Sequence, residues 1–532
     1  MPTVGQFTHE RFATSPPQAA HEQHRVLIAG AGPVGLAVAL GLARQGVASV
    51  VIEADNTVCE GSRAICISRR SLQILQRLGV LDAFLETGLP WTSGRSYYQG
   101  QEVLAFSMPH SDSDKLPPMI NIAQFHIEQF LLDGARRYAH LIDIRWGSSV
   151  SALQTRADGA TATITSELGS YDIGSDWLVA CDGGQSFVRK SLGLKLEGQA
   201  FTGKFVIVDI ELNSPFPTER RAWFDCACNP GSTMLMHKQP DNIWRIDYQI
   251  PDDSDLDEAI KEDNVRPVVQ RHLEMLGEAH LPWKYIWSSA YRAGTMTLES
   301  YDHGRVLFAG NAAHAMPIFG VRGLNSGFDD ADNLIWKLAL VVHGNASPKL
   351  LQSYSHERIA AYHVNAFNAA KSTEFMAPGS RGYALMREAA LSLSLTHKPI
   401  ASLLNPRQTA AVAYDAAHAW GDKFSDGLAP GSAPVDVPLQ LQGGPAHLLD
   451  ALPSQFTLLH LGQCAQTLVV DAPVPLQQLC ITPQQDASGL LTKHWGQNRS
   501  YLLRPDGHVL ACWRAPSPAQ LRECLSAFLQ GP

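Results

Sequence analysis

The sequence of 532 residues contains no long hydrophobic run, no block of basic residues and no CxxC motif. No apolar stretch approaches the roughly 20 residues that a helix needs to cross a bilayer. The formal net charge is −9, and lysine and arginine form no cluster. Neither nucleic acid nor an anionic membrane surface is therefore expected as a partner. These absences leave small molecules as the expected ligands.

The nine cysteines are odd in number and scattered. The closest pair, Cys226 and Cys228, is one residue short of the spacing that is typical of redox and zinc sites. The sequence therefore predicts reduced thiols, no metal site and a cytoplasmic protein. Residues 1–24 are polar and have neither the apolar core of a signal peptide nor the pattern of a transit sequence. We expect them to form a loose N-terminal extension.

The overall composition is that of an ordinary globular protein. Hydrophobic residues make up 45% of the chain and charged residues 17%, as in folded soluble domains. A chain of 532 residues is too long for one ordinary hydrophobic core. Two or three domains are therefore expected.

The first motif is a glycine fingerprint between a strand and a helix. Residues 26–29 form a short apolar run that predicts a buried strand, and residues 36–45 have the composition of a helix. Between them, Gly30, Gly32 and Gly35 have the GxGxxG spacing of a dinucleotide-binding turn. Such glycines permit a tight turn, a close approach of the backbone to a pyrophosphate, and close packing of the helix.

An acidic residue follows at the position that a βαβ dinucleotide site requires. Residues 50–53 predict the second strand, and Glu53 at its end stands 18 residues after Gly35. A carboxylate there accepts hydrogen bonds from the ribose hydroxyls of an adenosine and repels a 2′-phosphate. The site therefore suits NAD or FAD rather than NADP. Pro33 and Ala54 adjoin these residues and are assigned to the same site.

Two further motifs lie far along the chain. Residues 177–180 predict a strand that ends just before Asp182, which is followed at fixed offsets by two glycines, a serine and Arg189. Residues 305–310 predict another buried strand, and a loop rich in glycine and alanine leads from it to residue 325. A glycine fingerprint alone fits several nucleotides. The three motifs together indicate a flavin.

These motifs resemble those of the FAD-dependent aromatic (phenolic) hydroxylases with the para-hydroxybenzoate hydroxylase fold. Within that family the chain is most similar to the larger phenol hydroxylase and 3-(3-hydroxyphenyl)propionate hydroxylase-like branch. The resemblance implies an α/β fold in which a Rossmann-like FAD-binding domain is interleaved with a mostly β substrate domain. It also implies a C-terminal thioredoxin-like α/β domain, here without a CxxC motif.

The resemblance also divides the chain into segments. After the extension 1–24, the first part of the FAD-binding domain spans 25–200, the substrate-binding β-sheet domain 201–295, and the second part of the FAD-binding domain with its helices 296–430. The thioredoxin-like domain spans 440–532. Within it, residues 456–460, 467–470 and 501–509 predict strands.

The same resemblance implies which residues bind FAD. Arg63 matches the family's arginine that lies over the FAD and helps to control flavin movement. Gln124 begins a helix beside the ribityl chain, and Asp182 lies near both dinucleotides. Gly310 and Asn311 open the flavin loop, where the family has an aspartate that binds a ribityl hydroxyl. The amide of Asn311 can still form that hydrogen bond, but it lacks the negative charge.

The rest of the loop is expected to contact the isoalloxazine ring. Pro317 and Gly320 lie against the ring in the family, where a bulky side chain would not fit. Gly323, Leu324 and Asn325 begin a helix whose free amides face the N1 and O2 edge of the reduced flavin.

Three residues of the predicted substrate sheet are candidates for the base that activates a phenol. His237 lies in one strand-like run, and Asp247 and Tyr248 lie in another, on opposite faces. The phenol-hydroxylase branch has a tyrosine two residues after an arginine at this place, whereas here an aspartate follows Arg245 at that offset. The role of that tyrosine is therefore not carried over to Tyr248. With Arg63, these three residues are the predicted catalytic residues.

The function implied by the resemblance is that of a single-component FAD-dependent NAD(P)H monooxygenase of aromatic catabolism. NAD(P)H reduces the flavin, O2 forms a flavin C4a-hydroperoxide, and one oxygen atom enters a phenolic ring. A small aromatic substrate, NAD(P)H and O2 are thus the expected ligands, and a homodimer the expected assembly. Three alternatives stay open: a Baeyer–Villiger or epoxidising monooxygenase, an FAD-dependent dehydrogenase, and a flavin-binding protein without catalysis.

Overall fold

The structure is a computed structural model that describes residues 3–4, 7–404, 409–415, 420–463 and 467–531. It mixes helices and strands along the whole of these segments. The strands group into two large sheets, one smaller C-terminal sheet and three minor sheets.

The strands are numbered in chain order. They are β1 (Thr3–Val4), β2 (Phe7–Thr8), β3 (His21–Ala29), β4 (Ser49–Ile52), β5 (Cys66–Ser68), β6 (Leu89–Pro90), β7 (Ser93–Tyr98), β8 (Gln101–Ser107), β9 (Met119–Asn121), β10 (Ile142–Arg145), β11 (Ser148–Arg156), β12 (Gly159–Ser166), β13 (Gly169–Ala180), β14 (Glu197–Leu212), β15 (Arg220–Cys226), β16 (Asn229–Lys238), β17 (Ile243–Ile250), β18 (Trp283–Thr297), β19 (Asp302–His303), β20 (Val306–Phe308), β21 (His314–Ala315), β22 (Pro438–Leu441), β23 (Gly444–His447), β24 (Phe456–Leu461), β25 (Leu476–Ile481), β26 (Arg499–Leu503) and β27 (Val509–Trp513).

The α-helices are numbered in the same way. They are α1 (Pro33–Arg44), α2 (Arg69–Leu78), α3 (Leu81–Thr87), α4 (Gln124–Arg136), α5 (Phe187–Ser191), α6 (Leu256–Ala259), α7 (Glu262–Leu276), α8 (Gly323–Val342), α9 (Leu350–Met376), α10 (Arg381–Ser394), α11 (Lys398–Ala401), α12 (Leu448–Ala451), α13 (Leu490–Trp495) and α14 (Pro518–Gln530). Short 3₁₀ helices span Gly310–Ala312, Ser402–Leu404 and Pro483–Gln485. Every helix within the described residues is too short or too polar to cross a membrane.

The first large sheet, here called the nucleotide sheet, has the strand order β10-β4-β3-β13-β12-β11, with β20 also paired to β13. Strands β10, β4, β3, β13 and β20 run parallel to one another, whereas β12 is antiparallel to β13. Parallel strands are buried on both faces, which explains the continuous apolar run at Val26, Leu27 and Ile28, all fully buried. Helix α1 connects β3 to β4 and packs against α4 and α8. The predicted βαβ unit is therefore present.

The second large sheet, here called the substrate sheet, has the order β21-β18-β14-β17-β16-β15-β7-β8. It is antiparallel except for the pairing of β15 with β7. One face packs on α7 through a core that includes Val206, Met234, Ile246 and Val265. The sheet extends beyond the predicted segment 201–295, because β7 and β8 join its edge from earlier in the chain.

The C-terminal sheet has the order β25-β24-β26-β27, with β25 parallel to β24 and the other pairs antiparallel. A buried charge network joins this part of the chain to the flanking helices. Arg504 donates to both carboxylate oxygens of Glu357 on α9, at 2.7 and 3.0 Å. Lys337 on α8 donates to the same carboxylate at 2.9 Å, and the Trp336 indole donates to Asp506 at 3.2 Å.

Three expectations from the sequence need correction. The N-terminal residues are not a loose extension where they are described, because β3 begins at His21 and Phe12 stacks on Trp146 at 4.2 Å. Residues 467–470 are not a strand, since the next strand after β24 is β25. Seven cysteines are free, as predicted, but Cys480 is disulfide-bonded. Cys464 lies outside the described residues.

The glycine fingerprint gives a test of this packing. A Cβ at Gly35 would overlap the carbonyl oxygen of Gly30, whereas a Cβ at Gly32 would meet nothing within 4 Å. We expect Gly35→Ala to destabilise the FAD-free protein by about 1–3 kcal/mol, the usual cost of overpacking. Gly32→Ala should leave the unfolding midpoint of the FAD-free protein unchanged. Equal midpoints for the two variants in thermal denaturation would contradict this packing.

Candidate functional site

A cavity of about 430 Å³, here called the central cavity, lies between the nucleotide sheet and the substrate sheet. Segments that are far apart in sequence meet on its wall. They are the start of α1 (Gly32, Pro33, Val34), the arginine loop (Arg63, Ala64, Ile65, Cys66), the start of α4 (Gln124, Glu128), Cys181, Gly183 and Gly184, the flavin loop with the start of α8 (Gly310, Asn311, Met316, Pro317, Gly323, Leu324, Asn325), and the substrate sheet (Ile207, Arg220, His237, Arg245, Asp247).

Two helices direct their N-termini at this cavity. Helix α1 begins after Gly32 and α8 begins after Arg322, and neither has a side-chain cap among the described residues. Uncapped N-termini present free backbone amides and the positive end of the helix dipole. A Cβ at Gly32 would project into open space, so the backbone is accessible there. The cavity is therefore suited to a ligand with two separate anionic regions.

The acidic residue of the fingerprint supports the turn from behind. Glu53 accepts hydrogen bonds from the backbone amides of Ala31 at 2.6 Å and Asp55 at 3.0 Å. Burial raises the pKa of its carboxyl group. Gly30, with φ +98°, donates its amide to Ile52. Gly30, Gly35, Glu53 and Ala54 are not among the residues that line the central cavity, so they shape the turn rather than the wall.

The arginine loop is fixed by α4. The Gln124 side chain accepts from the Ala64 amide at 3.2 Å and donates to Glu128 at 2.9 Å. Glu128 in turn accepts from the Cys59 amide at 2.7 Å. Only Gln124 was expected from the sequence to matter, whereas the structure also brings Glu128 into the wall of the cavity. Its helical spacing of four residues from Gln124 is the signal that reveals it.

The same loop is also held from the substrate sheet. Arg245 on β17 donates to both oxygens of Asp209 on β14, each at 2.8 Å. It also donates to the carbonyl oxygens of Ser62 and Arg63, the latter at 2.9 Å. Arg245 and Asp209 are paired across the antiparallel register, so both side chains lie on one face. One buried guanidinium therefore connects the substrate sheet to the loop that carries Arg63.

The Asp182 motif has one unfilled acceptor. The Oδ2 atom of Asp182 accepts from the Val188 amide at 3.0 Å, and its buried Oδ1 atom has no partner within the described part of the chain. Arg189 donates to the carbonyl oxygens of Ala312 at 2.9 Å and Gly184 at 2.6 Å. Arg189 thereby ties this motif to the flavin loop.

A buried carboxylate that the sequence did not reveal holds the flavin loop. Asp330 on α8 accepts from the Gly310 amide at 3.0 Å, from His314 at 2.7 Å and from Arg358 at 2.7 Å. Burial opposes its charge, yet the neighbouring His314 and Arg358 hold the pKa of Asp330 at about 2. Because its pKa is low, Asp330 is an anion at neutral pH, and because it is fully buried the protein itself must supply its hydrogen-bond partners.

The other predicted residues of the loop have different environments. Asn311 is exposed and faces the central cavity. The buried side chain of Asn325 accepts from the Ser68 amide at 2.9 Å and donates to the Val321 carbonyl at 2.6 Å. Its amide group is thus engaged with the protein, and its backbone faces the cavity. Gly320, with φ +91°, lines a second, neighbouring cavity instead.

The substrate sheet contributes a polar cluster to the central cavity. His237, Asp247 and Arg220 all line it. Burial raises the pKa of Asp247 to about 6, against the opposing charges of Arg245 and Arg220. Burial also lowers the pKa of His237, so its imidazole is neutral. His237 Nδ1 and one guanidinium nitrogen of Arg220 are buried and have no partner in the residues that the structure describes.

Tyr248 does not belong to this cluster. It is 3% exposed and packs in the core on the opposite face of the sheet, because successive strand residues alternate between faces. We therefore do not assign it a role as a base. Sequence reasoning missed two residues near Asp247. They are Arg220, which brings a positive charge, and Tyr291, which brings a hydroxyl group. Neither stands in a motif, and the sheet register alone brings them there.

The second cavity has a volume of about 350 Å³ and adjoins the first at Arg220. Its walls are largely aromatic and aliphatic, with three cationic side chains. They are Phe106, Phe224, Leu235, Phe319, Phe375, Met376 and Leu404, with Arg95, Arg220 and Lys371. Such a space suits a flat apolar molecule that carries a negative charge.

Comparisons with known proteins agree with this geometry. A family model described as an FAD binding domain matches residues 23–366, more than half of the 532 residues. The chain therefore belongs to this family of FAD-binding proteins, and FAD is its cofactor.

Curated relatives are named as hydroxylases. One from Klebsiella pneumoniae (strain 342), a 3-(3-hydroxy-phenyl)propionate/3-hydroxycinnamic acid hydroxylase, is 31% identical over 335 residues, which cover 63% of this chain and 59% of the relative. A hydroxylase of the same name from Escherichia coli (strain SMS-3-5 / SECEC) is 30% identical, over 64% of this chain and 60% of the relative. The chain thus spans about three fifths of the length of the curated relatives it matches.

Solved structures share the architecture over almost the whole chain. The flavin-dependent monooxygenase PieE, in complex with FAD and substrate, has a TM-score of 0.81 and 21% identity, covering 96% of this chain and 99% of its own. The anhydrotetracycline hydroxylase OxyS from Streptomyces rimosus has a TM-score of 0.71 and 25% identity, covering 96% and 100%. The fold of the chain is therefore that of the FAD-dependent hydroxylases.

Asp330 gives a direct test of how the flavin loop is held. We expect Asp330→Asn to weaken FAD binding at least tenfold, about 1.4 kcal/mol, because the amide leaves buried Arg358 without its counter-charge. Flavin fluorescence titration measures the dissociation constant. Asp329→Asn, next to it on α8 and paired with Arg70, is the matched control and should bind FAD nearly as wild type. Equal loss in both variants would show that Asp330 has no special role.

Proposed function

We propose that this protein is a single-component FAD-dependent monooxygenase that hydroxylates a phenolic compound with NAD(P)H and O2. One observation carries the proposal: the central cavity has two uncapped helix N-termini on its nucleotide side and the Asp247, His237 and Arg220 cluster on its opposite side. The first side suits a dinucleotide, and the second suits an acidic hydroxyl group. The names of the curated relatives support the same activity.

The residues that would hold FAD follow from the cavity wall. Gly32 and Pro33 at the start of α1 would bind the pyrophosphate, with Gly30, Gly35, Glu53 and Ala54 shaping that turn and Glu53 near the adenosine ribose. The unfilled Oδ1 of Asp182, together with Gln124, Gly310 and Asn311, would face the ribityl and phosphate groups. Pro317 would flank the ring, and the amides of Gly323, Leu324 and Asn325 would face its anionic edge. Gly320, which lines the second cavity, would not contact the ring in this arrangement. When bound and reduced, FAD supplies the electrons that activate O2.

The polar cluster would prepare the phenol for attack. A phenol reacts with an electrophilic oxygen faster as its phenolate, so a base that removes the hydroxyl proton accelerates the reaction. Asp247 is the base we assign, because its pKa of about 6 leaves it charged but basic at neutral pH. The neutral His237 would accept or donate a hydrogen bond to the same hydroxyl. Arg220 would stabilise the phenolate that results.

The second cavity supports an aromatic acid as substrate. The named substrates of the curated relatives are phenols that carry a carboxylate. Arg95, Arg220 and Lys371 among aromatic walls would match such a molecule in charge and shape. Its largely apolar walls would also keep water from the reacting atoms, which limits wasteful release of peroxide.

Arg63, in the loop that Arg245 holds, is proposed to accompany flavin movement during reduction by NAD(P)H.

The remaining proposals concern the rest of the chain. We propose the segment division 25–200, 201–295, 296–430 and 440–532, with a thioredoxin-like last domain. The order β25-β24-β26-β27 supports this, since two parallel strands followed by two antiparallel ones form that arrangement.

An apolar exposed patch on α9 and α10, including Phe367, Leu385 and Met386, supports a homodimer. A cytoplasmic location is proposed because NAD(P)H is the reductant.

Labelled oxygen tests the proposed function. With a panel of phenolic acids, NAD(P)H and ¹⁸O2, we expect one ¹⁸O atom in a new ring hydroxyl and substrate-stimulated oxidation of NAD(P)H. Product mass and absorbance at the nicotinamide band measure the two. An ester or epoxide product would indicate another oxygenation. Substrate oxidation without ¹⁸O would indicate a dehydrogenase, and no stimulation by any phenol would refute the proposal.

The pH profile tests the role of Asp247. Because its carboxylate must be unprotonated to act as a base, kcat/KM should fall as the pH decreases through about 6. Asp247→Asn should lose this limb and lower kcat by about 10²–10⁴-fold. Asp252→Asn, exposed just beyond the end of β17, is the control and should keep the wild-type profile. An unchanged acidic limb in Asp247→Asn would exclude Asp247 as the base.

A further inference from the structure

Two cysteine sulfurs meet in the turn between β15 and β16. Cys226 ends β15 and Cys228 precedes β16, and their Sγ atoms are 2.8 Å apart. This distance is shorter than an ordinary contact of about 3.5–4.0 Å between unbonded heavy atoms. It is longer than the roughly 2.05 Å of a disulfide bond. The turn therefore holds both thiols in position to form a bond with little movement.

A neutral imidazole lies beside the pair. The Nδ1 atom of His272 on α7 is 3.7 Å from the Sγ atom of Cys228. His272 is fully buried and packs edge-on against Trp223, with ring centroids 4.8 Å apart. Burial lowers its pKa to about 3, so the ring is uncharged at neutral pH. The ring is therefore an uncharged polar neighbour of Cys228 and adds no positive charge beside the pair.

Cys226 differs from the other free thiols that the structure describes. Burial raises the pKa of Cys66, Cys181, Cys512 and Cys524. By contrast, the hydrogen bond from the Cys228 thiol lowers the pKa of Cys226 to about 7. The thiolate is the nucleophilic form of cysteine, and a pKa near the ambient pH favours its reaction with peroxide.

We propose that Cys226 and Cys228 are a peroxide-oxidisable dithiol that closes to an intramolecular disulfide. The Cys226 thiolate attacks one oxygen of hydrogen peroxide, the O–O bond breaks, and Cys226 becomes a sulfenic acid while the released hydroxide is protonated to water. The Cys228 sulfur then attacks the sulfenic sulfur, and a second water leaves. The proton of the Cys228 thiol passes to that leaving hydroxide, which completes the water. Two thiols are oxidised and one peroxide is reduced to two waters.

The dithiol lies just beneath the surface of the protein. Cys226 and Cys228 are 1% and 6% exposed, whereas Ala227 between them and nearby Pro230 are exposed. Hydrogen peroxide would therefore have to pass only this turn to reach the sulfurs. In turnover, the peroxide source rests on the proposed function, because uncoupled oxygen activation by a reduced flavin releases hydrogen peroxide. The disulfide would fix the tip of the hairpin whose other end carries Arg220 and His237.

Peptide mass spectrometry of the FAD-bound protein tests the proposal. Cleavage after Arg221 and Lys238 gives a peptide, residues 222–238, that contains these two cysteines and no other. After treatment with a small molar excess of hydrogen peroxide and alkylation in denaturant, we expect this peptide to be two hydrogens lighter and unalkylated. Peptides with Cys524 should be alkylated. Double alkylation of the 222–238 peptide, under conditions that oxidise free glutathione, would overturn the proposal.

Two variants separate the steps. Cys228→Ser should stop at the sulfenic acid, which a dimedone adduct on Cys226 reports, whereas Cys226→Ser should give no adduct at Cys228. Adducts of equal yield in both variants would refute the assignment of Cys226 as the attacking thiol. A second arm replaces added peroxide with NAD(P)H and O2, with and without catalase. Disulfide from added peroxide but not from turnover would support the dithiol and count only against the proposed source of peroxide.

Discussion

The flavin loop depends on one buried anion. Asp330 accepts hydrogen bonds from the Gly310 amide and from His314, which belong to the loop. It also accepts one from Arg358 on α9. Removing one member of such a buried set typically costs about 3–5 kcal/mol, because a charge is left without compensation. The loop therefore has one stable arrangement, and it presents Asn311 and Pro317 to the central cavity in a fixed relation to the start of α8.

A second buried charge connects the substrate sheet to the arginine loop. Arg245 is held by Asp209 within the substrate sheet and donates to the backbone of the arginine loop from across the cavity. A shift of that loop would leave donors of Arg245 without acceptors, so the loop and the sheet must move together or exchange these bonds for others. The position of Arg63 is thereby coupled to the strand that also carries Asp247.

Local patterns made part of this structure predictable. The glycine spacing, the apolar run at 26–29 and the acid at Glu53 are properties of neighbouring residues, and the βαβ unit follows from them. The alternation of side chains along β17 also correctly predicted that Asp247 and Tyr248 lie on opposite faces of the sheet. It did not decide which of these faces forms the cavity wall. Arg245, Asp330 and Arg189 were not predictable in the same way. Their partners are backbone atoms or side chains far along the chain, and such contacts leave no periodic signal.

The errors have related causes. The buried strand was expected to start at residue 26, because the residues before it are polar. In the structure β3 already pairs with β13 from His21 onward. Residues 21–25 are not fully buried, so this part of the strand needs no apolar side chains. Residues 467–470 are each apolar or β-branched and so favour a strand, but β25 lies further along and supplies the partner of β24.

The charge network around Arg504 has a consequence for engineering. The carboxylate of Glu357 on α9 has two cationic partners, Lys337 on α8 and Arg504 in the C-terminal part of the chain. Burial already lowers the pKa of Lys337 to about 8. A shortened chain that ends before the C-terminal sheet would leave this carboxylate with one cation where it now has two. In chimeras between homologues, the residues at positions 357 and 504 should therefore be taken from the same parent, although they lie in different segments of the chain.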